Sequence, residues 1–133
     1  MPNHEIDPAG IAPPAAHYAH AMVSDAGSRL LHTSGVVPIR PDGTIPDTVE
    51  AQAEVVWANI AAMLADAGMD AADVVSVTTY VVADEGDLSG VMAARDRALD
   101  GRKAASTLVT VPRLARPEWR MEIAVVAARS DDT

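Results

Sequence analysis

Residues 121 to 128 read MEIAVVAA, and no other stretch restricts the fold as much. Successive side chains of a β-strand face opposite ways. Met121, Ile123, Val125 and Ala127 form one face, and Glu122, Ala124, Val126 and Ala128 form the other. Both faces are apolar apart from one carboxylate. A strand of this kind belongs inside a sheet that is covered on both sides. Glu122 is then the anomaly, because a buried carboxylate is costly unless it is paired, hydrated or placed at a pocket. It either meets an arginine such as Arg113, or holds ordered water, or marks a site.

The rest of the chain supplies the neighbours of that strand. VVSVTTYVVA, residues 74 to 83, is dense in β-branched residues and reads as a second long strand. Ala105 to Val111 reads as a third, stopped by Pro112. Ala19 to Val23 and Arg29 to Thr33 are shorter candidates on either side of the turn Asp25-Ala26-Gly27. Gly35 suggests a bulge or a close backbone approach, and Val36 to Ile39 would continue the strand beyond it. Val49, Ala53, Val56, Ile60, Leu64 and Ala67 recur at helical spacing. Asp47 with Glu50 three residues later has the form of a capping box, and Gly68 is a C-terminal stop. Trp57 flanks this stripe, and its indole N–H needs a partner if it is buried. A second helix follows, capped by Asp84 or Asp87. Its inward side is Leu88, Val91, Met92, Arg95 and Leu99, and Gly101 ends it.

The order is therefore β-β-(β)-α-β-α-β-β, which predicts one mixed β-sheet covered on one face by two helices, an α/β (α+β) architecture. A length of 133 residues fits a single domain over 1–133. It carries an irregular, proline-rich arm over residues 1–17 and a short polar tail over residues 129–133. The sheet face without helices stays apolar, which predicts self-association. Aromatic residues are 3% of the chain, so small and β-branched side chains must build the core.

Charge narrows the function. The net charge is −9 and Lys103 is the single lysine. A nucleic-acid surface needs a basic patch, and none is present. The same balance gives no reason for binding anionic membranes. There is no cysteine, which excludes disulfides, thiolate catalysis and cysteine-ligated metals. No apolar run approaches the roughly 20 residues of a membrane span. The opening MPNHEIDPAG is acidic rather than a basic leader. The expectation is a soluble cytoplasmic protein. Neither GxGxxG, nor a phosphate loop, nor HExxH occurs. His17 and His20 are three apart but have no carboxylate cluster nearby, so no metal is expected. Ser34 near His32 reads as a serine at a bend, not as part of a catalytic triad.

Four pieces together carry a resemblance. They are the proline-rich approach to Tyr18, the segment HTSGVVP with Ser34-Gly35, the strand VVSVTTYVV, and the Glu-containing last strand MEIAVVA. Over roughly residues 8 to 128 the chain resembles the Rid family of reactive intermediate deaminases, also called the YjgF family. The resemblance implies a chorismate-mutase-like fold and a homotrimer with small-molecule pockets between subunits. It also implies cofactor-free hydrolysis of enamines and imines to 2-oxo acids and ammonia. Tyr18, Ser34 and Glu122 match retained pocket positions, with Glu122 implied to activate water.

One segment departs. Active members carry Pro-Ala-Arg-Ser where this chain has Lys103-Ala104-Ala105-Ser106. Their arginine grips the substrate carboxylate, and here its position is Ala105. Alanine has neither the charge nor the planar fork that grip requires. Losing such a contact in a buried site costs about 2 to 5 kcal/mol. The position of an asparagine frequent in the family falls near Met92. The expected site is therefore Glu122 with Tyr18, Ser34, Ala105 and Ser106, and with Met92, Arg102 and Trp119 at its rim. Arg102 or Lys103 could compensate as an anion anchor, and the backbone at Ala105 and Ser106 could donate to an oxygen. The expected ligand is a small molecule that depends less on a carboxylate. The alternatives are a non-catalytic binding protein that keeps the cavity, and a regulatory surface that uses the trimer alone.

Overall fold

The computed structural model describes residues 3–86 and 88–130. Six strands and two helices follow in the order β1 (Asn3–Ile6), β2 (Ala21–Ser24), β3 (Arg29–His32), α1 (Val49–Asp66), β4 (Val74–Val82), α2 (Ser89–Ala98), β5 (Ala105–Val111) and β6 (Met121–Arg129). The main sheet has the order β3-β6-β4-β5. The β4–β5 pair is parallel, and β6 is antiparallel to both β3 and β4. The last strand is thus an inner strand, as its two apolar faces require. Its odd-numbered face meets the helices, and Met121, Ile123, Val125 and Ala127 are all at most 2% exposed.

The core lies between this face and the helices. It is built mainly from valines and alanines, with Ile60, Ile123, Leu64, Leu99, Met69 and Met121, and with Trp57 as its one aromatic residue. The α1 stripe is buried from Val49 to Leu64 as its spacing predicts, joined by Trp57 and by Gln52 at 1% exposure, while Ala67 caps the helix and is half-buried. The helix starts one residue later than the sequence suggests. Thr48, not Asp47, is its N-cap; Thr48 is extended, and its hydroxyl accepts from the Ala51 N–H at 3.2 Å. Glu50 therefore occupies the second helical position, where no capping box forms. Gly68 ends the helix with φ +73°. Helix α2 begins after Leu88 and has no side-chain cap. Asp84 falls in a separate 3-10 turn, Ala83–Glu85, and Asp87 lies outside the described residues.

Two further expectations are corrected. The arm over residues 1–17 is not wholly irregular, because Asn3–Ile6 pairs antiparallel with Ala21–Ser24 as a small separate sheet. The polar sequence NHEI gives no strand signal, and its partner supplies one. Beyond Gly35 the strand does not continue: Val36 alone bridges to Ile123, and Pro38 is fully buried. The small sheet closes one end of the main sheet. The Asn3 side-chain amide donates to the Ala128 carbonyl at 2.9 Å, and Ala128 is fully buried although it faces away from the helices. Elsewhere the helix-free face stays partly open, with Leu30 at 58% and Val109 at 39% exposure. No helix is long and apolar enough to cross a membrane.

Candidate functional site

The Glu122 end of the site is shaped by a bulge. Along β3, Leu31 faces Ala127 and His32 faces Val126. The next bridge, Val36 to Ile123, is one residue out of that register. The extra residue lies within Thr33–Gly35. The bulge is held at both ends. The Val36 N–H donates to the Ile123 carbonyl at 2.7 Å, and the Val125 N–H donates to the Thr33 hydroxyl at 2.9 Å. This brings the Gly35 backbone onto the Glu122 side chain. A methyl built at Gly35 would overlap Glu122 Oε2 and lie 2.9 Å from its Cδ. The close approach expected at Gly35 is therefore real, and the carboxylate is what occupies the space. Ser34, next in the chain, is exposed.

Glu122 is half-buried on the helix-free face. Among the described residues its carboxylate forms no hydrogen bond and no ion pair, so the pairing with Arg113 does not occur. Directly opposite it on β4 stands Tyr80. That residue was not singled out from the sequence. Its signal was available, because alternation along VVSVTTYVV turns Ser76, Thr78 and Tyr80 to one face. Nothing local, however, says which strand would lie beside it.

Tyr18, Ala105 and Ser106 meet at the other end of the sheet. Ala19 bridges to Ala105, with its N–H donating to the Ala104 carbonyl at 3.0 Å. Tyr18 is half-buried, and its hydroxyl accepts from the Ala15 N–H at 3.3 Å. Ala105 faces the open side. Ser106 faces the helices, where its hydroxyl accepts from Arg95 Nη1 at 3.3 Å. What Ser106 can offer the open side is backbone. Arg95 also donates to the His17 carbonyl at 3.4 Å and pairs with Asp96 at 3.1 Å. His17 Nε2 in turn donates to the Gly101 carbonyl at 2.6 Å. Together these bonds clamp the Tyr18 segment to the start of β5. Arg102 lies at that corner but is exposed and pairs with Asp100 at 3.5 Å.

The remaining rim residues scatter. Met92 is half-buried on α2, on the helix side of the sheet. Trp119 is half-buried beneath the Arg116 guanidinium, 5.7 Å from the ring centre, and its indole N–H is buried without an acceptor. The Trp57 N–H is likewise unpartnered, against expectation. Gln52 is the larger omission. Its amide donates to the Pro46 and Glu118 carbonyls at 2.9 Å and accepts from the Arg120 N–H at 2.8 Å. It thereby pins the loop that feeds Glu122 into β6. No group of three or more histidine or acidic side chains that could hold a metal occurs among the described residues.

The two ends do not meet within one chain. Glu122 is opposite Tyr80, and Ala105 is opposite Ser76, four residues away along β4 and on its other side. Strand rise and spacing put them about 16 Å apart. Within one chain, therefore, Glu122 and Ala105 share a sheet face but do not meet.

Two helices on one face of a mixed sheet, with a carboxylate on the other, define a small α+β protein of chorismate-mutase-like fold. The family described as Endoribonuclease L-PSP matches residues 10–129. The chain belongs to this family, the Rid or YjgF family. It is 33% identical over 121 residues to a RutC family protein of Haemophilus influenzae, covering 87% of this chain and 91% of that one. It is 32% identical over 120 residues to a 2-iminobutanoate/2-iminopropanoate deaminase of Escherichia coli, with the same coverage of 87% and 91%. Among solved structures, the Rid-family protein YyfB of Yersinia pestis superposes with a TM-score of 0.88 at 30% identity, covering 97% of this chain and all of that one. Escherichia coli TdcF with bound serine superposes with a TM-score of 0.71 at 28% identity, covering 92% and 93%.

Proposed function

We propose that this protein is a cofactor-independent hydrolase of small reactive enamines or imines, acting as a homotrimer in the cytoplasm. The observation that carries the reading is the unpaired, half-buried Glu122 carboxylate resting on Gly35. A carboxylate in that state can take a proton from a water that attacks an adjacent electrophilic carbon. The 16 Å gap supports an assembly in which the Glu122 half-site of one subunit faces the Tyr18–Ala105 half-site of the next. The exposed Leu30 and Val109 supply apolar surface for that contact. The deaminase name of the Escherichia coli relative points to the same chemistry. The substrate differs from amino-acid-derived imines, because Ala105 offers no grip on a carboxylate.

The test uses freshly generated 2-aminoacrylate, with ammonia and pyruvate release measured against the spontaneous rate. Acceleration that disappears in Glu122→Gln supports the deaminase chemistry and shows that it tolerates Ala105. No acceleration removes the common substrate. A second reading, a trimeric small-ligand-binding protein without turnover, is favoured by Ala105 and predicts saturable binding with no rate effect.

A further inference from the structure

We propose that the Glu122 half-site selects a small protonated imine that carries no carboxylate, held between the Glu122 carboxylate and the Tyr80 ring. The chemical step rests on the hydrolase reading; the recognition does not. Glu122 and Tyr80 are direct cross-strand partners on the same face. Such partners have Cβ atoms about 5 Å apart, so acid and ring reach one small ligand together. A carboxylate beside an aromatic ring suits an ammonium or iminium group, through charge on one side and the ring quadrupole on the other.

The surrounding charges agree. Among the described strand residues that the pleat of the main sheet turns to this face, none is lysine or arginine. The nearest histidine on it, His32, is four residues from Glu122 in register, about 13 Å along the strand. Arg120, two residues before Glu122 and turned to the same face by the pleat, is exposed and has a partner of its own. Arg95 and Arg102 are held by Asp96 and Asp100. A net charge of −9 favours approach of a cation over an anion.

The chemistry balances without a co-reactant. Water adds to the iminium carbon while Glu122 takes its proton, and the C=N π electrons move to nitrogen. Glu122 returns the proton to the nitrogen of the carbinolamine. The C–N bond breaks, ammonia leaves, and the hydroxyl proton passes to Glu122 as the carbonyl forms and from Glu122 to the departing ammonia, which restores the carboxylate. One iminium and one water give one ketone and one ammonium.

The experiment separates recognition from turnover. Binding is measured with two stable isosteres, isopropylammonium and isobutyrate, by titration of the native assembly. Turnover is measured with propan-2-imine and 2-iminopropanoate, which differ only in a methyl for a carboxylate. The expected result is binding of the ammonium at least about tenfold tighter than isobutyrate, and faster hydrolysis of propan-2-imine. Glu122→Gln should weaken ammonium binding about tenfold or more. Tyr80→Leu should weaken it about threefold to thirtyfold, while Tyr80→Phe, which keeps the ring, stays near the native value. Arg120→Gln should change neither. Ala105→Arg should reverse the order of the two imines. Ammonium binding without hydrolysis supports the recognition and removes the hydrolase. Faster hydrolysis of 2-iminopropanoate by the native protein overturns the proposal and leaves the hydrolase standing. Isobutyrate binding as tightly as the ammonium, or neither binding, overturns the proposal outright.

Discussion

Gly35→Ala tests the contact on which the site is built. Gly35 is not among the residues with positive φ, so alanine meets no backbone strain there. On backbone grounds alone the change would stabilise by about 0.4 to 1 kcal/mol, by restricting the unfolded chain. The Glu122 side chain opposes this. The new methyl would overlap Oε2 and sit 2.9 Å from Cδ, while Cγ at 3.7 Å is already in ordinary contact. Turning the carboxylate about its last bond clears the oxygen but not Cδ. The side chain must swing from Cγ, which costs about 0.5 to 1.5 kcal/mol off-rotamer, or up to about 3 kcal/mol if the surroundings resist. The net expectation is a loss of about 1 to 2 kcal/mol in the native background. In Glu122→Ala the obstacle is gone, and the same substitution should be neutral or mildly stabilising. In Glu122→Gln, which keeps the shape and drops the charge, the loss should return. Urea unfolding at one fixed protein concentration, read as a double-mutant cycle, gives the coupling. Equal effects of Gly35→Ala in all three backgrounds would refute the reasoning, because Glu122 would then not be resting on Gly35.

Gln52→Leu should destabilise by about 2 to 3 kcal/mol, since it strands the Arg120 N–H and the Pro46 and Glu118 carbonyls; thermal or urea unfolding measures this. Val109→Asp places a charge on the exposed apolar part of the open face and should shift the assembly to single chains in sedimentation, with loss of any turnover. In the turn 40–44, hydrogen bonds from the Thr44 hydroxyl and then the Thr44 N–H hold the Asp42 pKa below its ordinary value. A depressed carboxylate pKa adds stability above the unfolded-state value, lost as pH falls through the folded-state one. Asp42→Asn should therefore cost a little stability at neutral pH and nothing in acid below both values; unfolding midpoints across that range check the sign.

What could be read in the sequence was set by short-range rules. Strands β4, β5 and β6 follow from β-branched runs and alternation, and α1 from a spacing whose Val49, Ala53, Val56, Ile60 and Leu64 the structure buries. Glu122 was visible because it breaks an apolar pattern, and Gly35 because a glycine beside a strand has few other reasons to be there. The residues missed are those whose partners are remote. Gln52 looks like a stray polar residue on a helix until Glu118 and Arg120, 66 and 68 positions away, come to it. Asn3–Ile6 is a strand only because Ala21–Ser24 is beside it. Tyr80 sits on the predicted face, but its position opposite Glu122 comes from the sheet order β3-β6-β4-β5, which no local pattern encodes. The same order separates Glu122 from Ala105. Resemblance assigned both residues to one pocket between subunits, and the strands hold them about 16 Å apart within one chain. If a single pocket exists, it is completed by a second subunit, and breaking the assembly must abolish turnover even where the chain stays folded. A variant that becomes monomeric, stays folded and still hydrolyses an imine would mean that Glu122 and Tyr80 suffice alone, and that Ala105 is a vacancy the reaction never needed to fill.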